Sequence, residues 1–301
     1  MMLSLHRLLY VAAALLLCTG FTGCSHDGFS EHDEPLPPGR YPLLFSASVG
    51  AEATGTTAPG GGKDAWVAGD KFTLNVGGYV GMYTVEFKDD RYIVTSNAPY
   101  YWQSTATATV RAWWPYALGT QTYDISGQSG GYADFDILYA ETQNVDYKTE
   151  GLRLNFEHQM AKVSYTLKGG YGVTDAQLDA ATVNLWGERS VTVSGGKIIG
   201  QPTSQTDKIT PCHNSGTRSG SALMVPQDMT GKPLITIKLN GMDLTYTPQN
   251  QSSGELHAGA HHEYIITVSM NGLAVTHVTR VTGAEWTGGA SDQDVPTWSD
   301  D

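Results

Sequence analysis

Apolar residues in this chain recur at every second position, and that period decides what it can fold into. Leu43, Phe45, Ala47 and Val49 alternate with Leu44, Ser46 and Ser48; Phe72, Leu74 and Val76 alternate with Thr73 and Asn75. The same pattern runs through Tyr83, Val85 and Phe87, through Ala108 to Trp114, through Ala161 to Leu167, and through Ile235, Ile237 and Leu239. A period of two puts one side of an extended strand into a core and the other into solvent. Tyr264–Met270 and Leu273–Val278 flank Asn271-Gly272, a strong short-range hairpin signal. The best helical stretch is TDAQLDAA at 174–181, one or two turns long. The chain therefore reads as all-β, and so many short strands predict two tandem β-sandwiches rather than one. The polar stretch NVDYKTEG at 144–151 marks the expected break, giving domains 41–147 and 148–301. With 35 Gly, 16 Tyr and 7 Trp, the composition agrees.

The front end is a targeting segment. Arg7 precedes the apolar run Leu8–Leu17, which has signal-peptide length and is short for a membrane span. The run leads to Phe21-Thr22-Gly23-Cys24, small residues and then a cysteine, which resembles the bacterial lipobox. On that reading residues 1–23 are removed between Gly23 and Cys24, and Cys24 is acylated and held in a membrane by its lipid. An ordinary secretory signal with a chance cysteine is the competing reading. Residues 24–40, acidic and then Pro-rich, are expected to form an extended, solvated tether. Acidic residues behind a lipidated cysteine resemble the surface-export signal of Bacteroidetes lipoproteins, which implies the outer face of the outer membrane. A plain acidic linker is the alternative.

Without residues 1–23 the chain carries 17 Lys+Arg against 30 Asp+Glu, a net charge of −13. That excludes nucleic acid and anionic lipid surfaces as natural partners, since both reward clustered cations. Cys18 leaves with the signal and Cys24 is acylated, so Cys212 has no intrachain partner. Gly50–Asp64, with five glycines, is expected to be an exposed loop open to proteases, and Lys63 is its basic residue.

Signatures of catalysis are missing: no G-x-S-x-G, no H-E-x-x-H and no phosphate loop, so no enzyme and no cofactor are expected. His257, His261, His262 and Glu263 invite a metal, but adjacent residues on a strand point to opposite faces, and a solvated turn is the better reading. Asp292, Asp294, Asp300 and Asp301 lack the glycine and closing Glu of a calcium loop. Cys212 beside His213 lacks a third group to orient the imidazole. Tyr100-Tyr101-Trp102 and Trp113-Trp114 offer rings for sugars, but alternation sends about half of such rings into a core.

Several short motifs follow one another over nearly the whole chain. They are Leu43–Val49, Trp66-x-x-Gly69-Asp70, Tyr101-Trp102, Ala112-x-x-Pro115-Tyr116 and Asp136-Ile137-Leu138-Tyr139-Ala140. Then come Leu154-x-Phe156-x-His158-x-x-Ala161-Lys162-Val163, Gly259 ahead of Tyr264-x-Ile266-Thr267-Val268, and Trp286. In this order they resemble the fimbrillin-like lipoproteins of Bacteroidetes, the major and minor fimbrial subunits. The resemblance implies transthyretin-like sandwiches, a place in a surface fimbrium, adhesion to a host or bacterial receptor, and partners that are other fimbrial subunits in a homo- or heteropolymer. It also implies that a protease removes the first strand and that a neighbour's strand fills the groove. Leu43, Phe45, Ala47 and Val49 would then be the displaceable, pocket-filling set. The family usually places a basic residue, often Arg, after that strand. Here Lys63 stands there, and Arg40 precedes the strand, where a cut would free the lipid without opening the groove. Stalk, anchor and tip stay open, and so does a second reading: a non-polymerising surface lipoprotein that binds glycans or host proteins.

Overall fold

The computed structural model describes residues 34–49, 63, 65–200, 202, 206–214, 216–281 and 295–296. The signal, Gly23 and Cys24, most of the loop after the first strand, Trp286 and the acidic tail lie outside these residues. Among the described residues the chain is strands joined by turns, with short helices at Asp175–Asp179 and Gln251–Gly254. The first of these is the stretch anticipated at 174–181; Thr174 and Gln177 close a capping box at its start.

The first half supplies β1 (Phe45–Val49), β2 (Lys71–Val76), β3 (Tyr79–Lys88), β4 (Arg91–Thr95), β5 (Ala108–Trp114), β6 (Thr120–Asp124), β7 (Leu138–Val145) and β8 (Leu152–His158). Next are β9 (Ala161–Gly169), β10 (Thr182–Gly187), β11 (Ser190–Ser194), β12 (Lys197–Ile199), β13 (Asp207–Ile209), β14 (Cys212–His213) and β15 (Ser219–Met224). The chain goes on through β16 (Gln227–Asp228), β17 (Ile235–Leu239), β18 (Met242–Tyr246), β19 (Glu255–Leu256), β20 (Ala260–Ser269), β21 (Gly272–Val281) and β22 (Val295–Pro296).

The strands serve two hydrophobic cores. The first is enclosed by one sheet in the order β22-β1-β8-β7-β5-β2-β3-β4, which curls until β22 approaches β4. Phe45, Phe72, Leu74, Tyr83, Val110, Leu154 and Phe156 fill it. The second is covered by β14-β15-β9-β20-β21 and β13-β10-β17-β18, with β12-β11-β6 alongside. Val163, Tyr165, Ile235, Ile237, Tyr264 and Ile266 belong to it. The alternating residues read from the sequence point inward with few exceptions. Phe87 is one: it lies at the exposed end of the β3–β4 hairpin, 56% accessible, against Tyr92.

The boundary between the halves differs from the expected one. Residues 144–151 do not separate the cores; they join β7 to β8, and both strands belong to the first. The polar residues there make a turn, in which Asp146 Oδ1 accepts from Lys148 N–H and the Thr149 hydroxyl. Meanwhile β6 leaves the first half to pair with β11, and Ile125, Tyr132 and Ile137 enter the second core. The tether also differs. From Glu34 it is docked rather than solvated: Leu36 N–H donates to Gln103 O (2.8 Å), Thr105 N–H to Glu34 O (2.8 Å) and Trp102 N–H to Tyr41 O (2.8 Å). Leu36 and Tyr41 pack on the first core, which gives residues 34–41 their apolar contact.

The solvated turn expected at His257–Glu263 is instead the start of β20, which runs from Ala260 and packs on the second core, so that its adjacent histidines point to opposite faces. His261 faces out to Ser164, 2.7 Å away. His262 is fully buried, with Nε2 accepting from His257 N–H (3.1 Å) and Nδ1 3.3 Å from His277 Nε2; Thr279 closes the group, and Glu255 stands 4.0 Å from His257. Burial first, then the neighbouring His277, His257 and His261, pull its pKa down to about 3. Burial likewise lowers that of His277. The folded state thus holds His262 neutral while the unfolded chain protonates it near the ordinary value of about 6.5. Its contribution to stability is complete above that pH and is lost as the pH falls toward 3. The melting temperature should therefore drop between pH 7 and pH 4, and His262→Gln, which still accepts from His257 but does not titrate, should flatten the drop. Parallel curves for the two proteins would contradict this.

Candidate functional site

The groove that holds β1 is built from neighbours distant in sequence. β1 runs parallel to β8, with Phe45 opposite Leu152, Ala47 opposite Leu154 and Val49 opposite Phe156. Its other edge meets β22, where Ala47 faces Val295 in antiparallel register. Leu43, Phe45, Ala47 and Val49 are all buried, and Phe45 lies 5.4 Å from the ring of Tyr83. Ser46 and Ser48 face outward, and the Ser48 hydroxyl donates to Asn155 Oδ1 (2.7 Å). Burying Leu43, Phe45 and Val49 is worth about 1.5–3 kcal/mol each. Without β1, the outer edge of β8 would present unpaired N–H and C=O groups beside vacant pockets, the form of edge that accepts an added strand.

The segment that follows is clamped at the same place. Trp66 is buried on Phe156 and Phe72, and its Nε1–H donates to Ala47 O of β1 (3.0 Å). Gly69, at φ 96°, closes a turn in which Asp70 Oδ2 accepts from Val67 N–H (2.7 Å). Asp70 also pairs with the ammonium of Lys63, which lies 5.8 Å from the Trp66 ring and 5.4 Å from that of Trp114. The Lys63 N–H donates to Asp136 Oδ2 (3.3 Å), and the same oxygen lies 2.8 Å from His158 Nδ1. Asp136 Oδ1 accepts from Ile137 N–H (2.9 Å).

Lys63 was expected in an exposed loop; its residue is 7% accessible. Two indole faces and a carboxylate replace the water an ammonium needs, which permits its burial. Arg40, the other basic candidate, is exposed. Asp136 and His158 were visible only as parts of motifs; nothing in one dimension joins residues this far apart into a pair. The one local sign is His158, which takes the inward position of β8 after Leu152, Leu154 and Phe156; Asp136 precedes β7 and carries no such sign.

The remaining candidates stay scattered. Among the described residues no group of three His, Cys, Asp or Glu is placed to hold a metal ion. Cys212 is half-buried and unbridged, and His213 Nδ1 faces the Tyr165 hydroxyl (3.2 Å).

A sequence profile described as fimbrillin-like matches residues 54–286. Among solved structures, the chain is similar to a candidate cell adhesion protein from Bacteroides uniformis, with a TM-score of 0.62 and 21% identity over 83% of this chain and 100% of that one. It is also similar to one from Bacteroides ovatus, with a TM-score of 0.56 and 16% identity over 79% and 95%. At these identities the likeness is one of fold. No curated protein matches the sequence.

Asp136→Ala should take a buried acceptor from His158 and from the amides of Lys63 and Ile137 and cost about 3–5 kcal/mol. Lys63→Met, which keeps the stem between the indoles, should cost less. Urea unfolding of the two variants checks the order, and equal losses would contradict the geometry.

Proposed function

The chain belongs to the fimbrillin-like family, and from that premise we propose that it is a subunit of a fimbrium assembled by β-strand addition, with the groove that such assembly uses filled by its own β1. A fimbrial, cell-adhesive role at the cell surface comes with the family, which is one of structural proteins rather than enzymes. The observation that carries the finer reading is the seat of β1: a strand at the start of the fold, held in parallel register, whose inward residues fill a core that later strands complete. Lipid on Cys24 would hold the subunit to the outer membrane or deliver it there.

The setting of Lys63 bears on its place in a filament. A trypsin-like protease must draw the basic side chain into its own pocket, and this one is folded between Trp66 and Trp114. That favours retention of β1. A subunit with its own groove filled takes no donor there, so it ends a series of strand additions, as a base or a tip. The same burial favours the second reading, a surface lipoprotein of this fold that does not polymerise.

Strand removal separates the two. A specific protease site placed within residues 50–62 allows β1 to be cut and then stripped in mild denaturant. On the fimbrial reading the stripped chain takes up a Leu43–Val49 peptide or forms SDS-resistant multimers on refolding. A stripped chain that refolds as a monomer and ignores the peptide would overturn strand addition.

A further inference from the structure

A groove of about 570 Å³ opens where the β2–β3 turn, the start of β5 and the segment Pro99–Thr107 meet. Its aromatic residues are Tyr79, Tyr100, Tyr101 and Trp102, and Gln103, Ser104 and Thr107 supply neutral hydrogen-bonding side chains. No Lys, Arg, Asp or Glu lines it. From this combination we infer that the groove is a binding site for neutral oligosaccharides.

The chemistry selects the ligand. A sugar presents C–H faces, which rest on aromatic rings, and hydroxyls, which need neutral amide and hydroxyl partners. An anionic ligand would meet no cation here, on a chain of net charge −13 once residues 1–23 are removed. A purely apolar ligand would take water from the amide of Gln103 and the hydroxyl of Thr107 and give no hydrogen bond in return. The volume falls within the range of small-molecule sites, about 300–1,000 Å³.

The rings are also held in place. Tyr79 donates its hydroxyl to Ala98 O (2.5 Å) and lies across Gly81, so close that a Cβ there would run into its ring. Tyr100 packs 5.3 Å from Tyr79 and 5.4 Å from Trp102, the latter edge to face. Pro35 bridges to Ser104, and the tether then turns at Gly39, φ 72°, to wall one side of the groove. A site assembled before its ligand arrives loses less freedom on binding. The inference does not rest on strand addition, since its test reads glycan binding with β1 in place.

The test is an array of neutral, sialylated and sulfated oligosaccharides probed with the mature chain in detergent, followed by calorimetric titration of the strongest neutral ligand. Saturable binding to neutral oligosaccharides is expected. Tyr101→Ala and Gln103→Ala should each weaken it at least tenfold with little change in melting temperature. Gly81→Ala, which removes no lining side chain but displaces Tyr79, should weaken it as well. Tyr171→Ala, a ring 84% exposed outside the groove, should leave it unchanged. Absence of neutral-glycan binding, binding confined to acidic glycans or to peptides, or neutral binding that survives both Tyr101→Ala and Gln103→Ala would overturn the assignment.

Discussion

The first core stands on the pairing of β1 with β8. β1 supplies Phe45, Ala47 and Val49 to an interior whose other walls come from β2, β3, β5 and β8. Together Leu43, Phe45 and Val49 contribute roughly 5–9 kcal/mol of gross burial, before the cost of ordering the segment. A core that takes three large apolar side chains from residues 43–49 is incomplete without that segment or a substitute. The bond from Trp66 to Ala47 O and the enclosure of Lys63 fasten the residues on either side of positions 50–62 to the same interior.

The two cores are coupled through the route of the chain rather than joined end to end. β6 pairs with β11 of the second half, β8 returns to the first core, and β22 brings the far end of the sequence beside β1. Asp136 stands where the chain passes from Ile137, in the second core, to Leu138, in the first. His158 stands at the end of β8, just before β9 enters the second core. Their buried pairing therefore ties two of the crossings to the segment that follows β1. Burial of polar groups demands partners, and here each partner comes from a different crossing.

Much of this was legible in the sequence because the signals were periodic. Alternation located β1, β2, β9, β17 and the β20–β21 hairpin, although β20 begins before Tyr264 and takes in His261 and His262, which read as a solvated turn. Composition misled where it was asked to say what a segment packs against. The polar run at 144–151 is a turn between paired strands, which reads the same as a linker in one dimension. Residues 34–40 look like a tether, yet the backbone bonds of Leu36 and Glu34 fix them to Gln103 and Thr105. Lys63 sits in a glycine-rich stretch, and only the meeting of Trp66, Trp114 and Asp70 shows why it is enclosed. Long-range contacts of this kind leave no local pattern to read.

The central claim is that β1 is a built part of the subunit, kept in its groove by the packing after it. Intact mass and N-terminal sequencing of the protein taken from the cell surface test this most directly. The account predicts a surface form that still contains Phe45–Val49, beginning at acylated Cys24 or, if trimmed at Arg40, at Tyr41. A surface form that begins at Asp64 would contradict it.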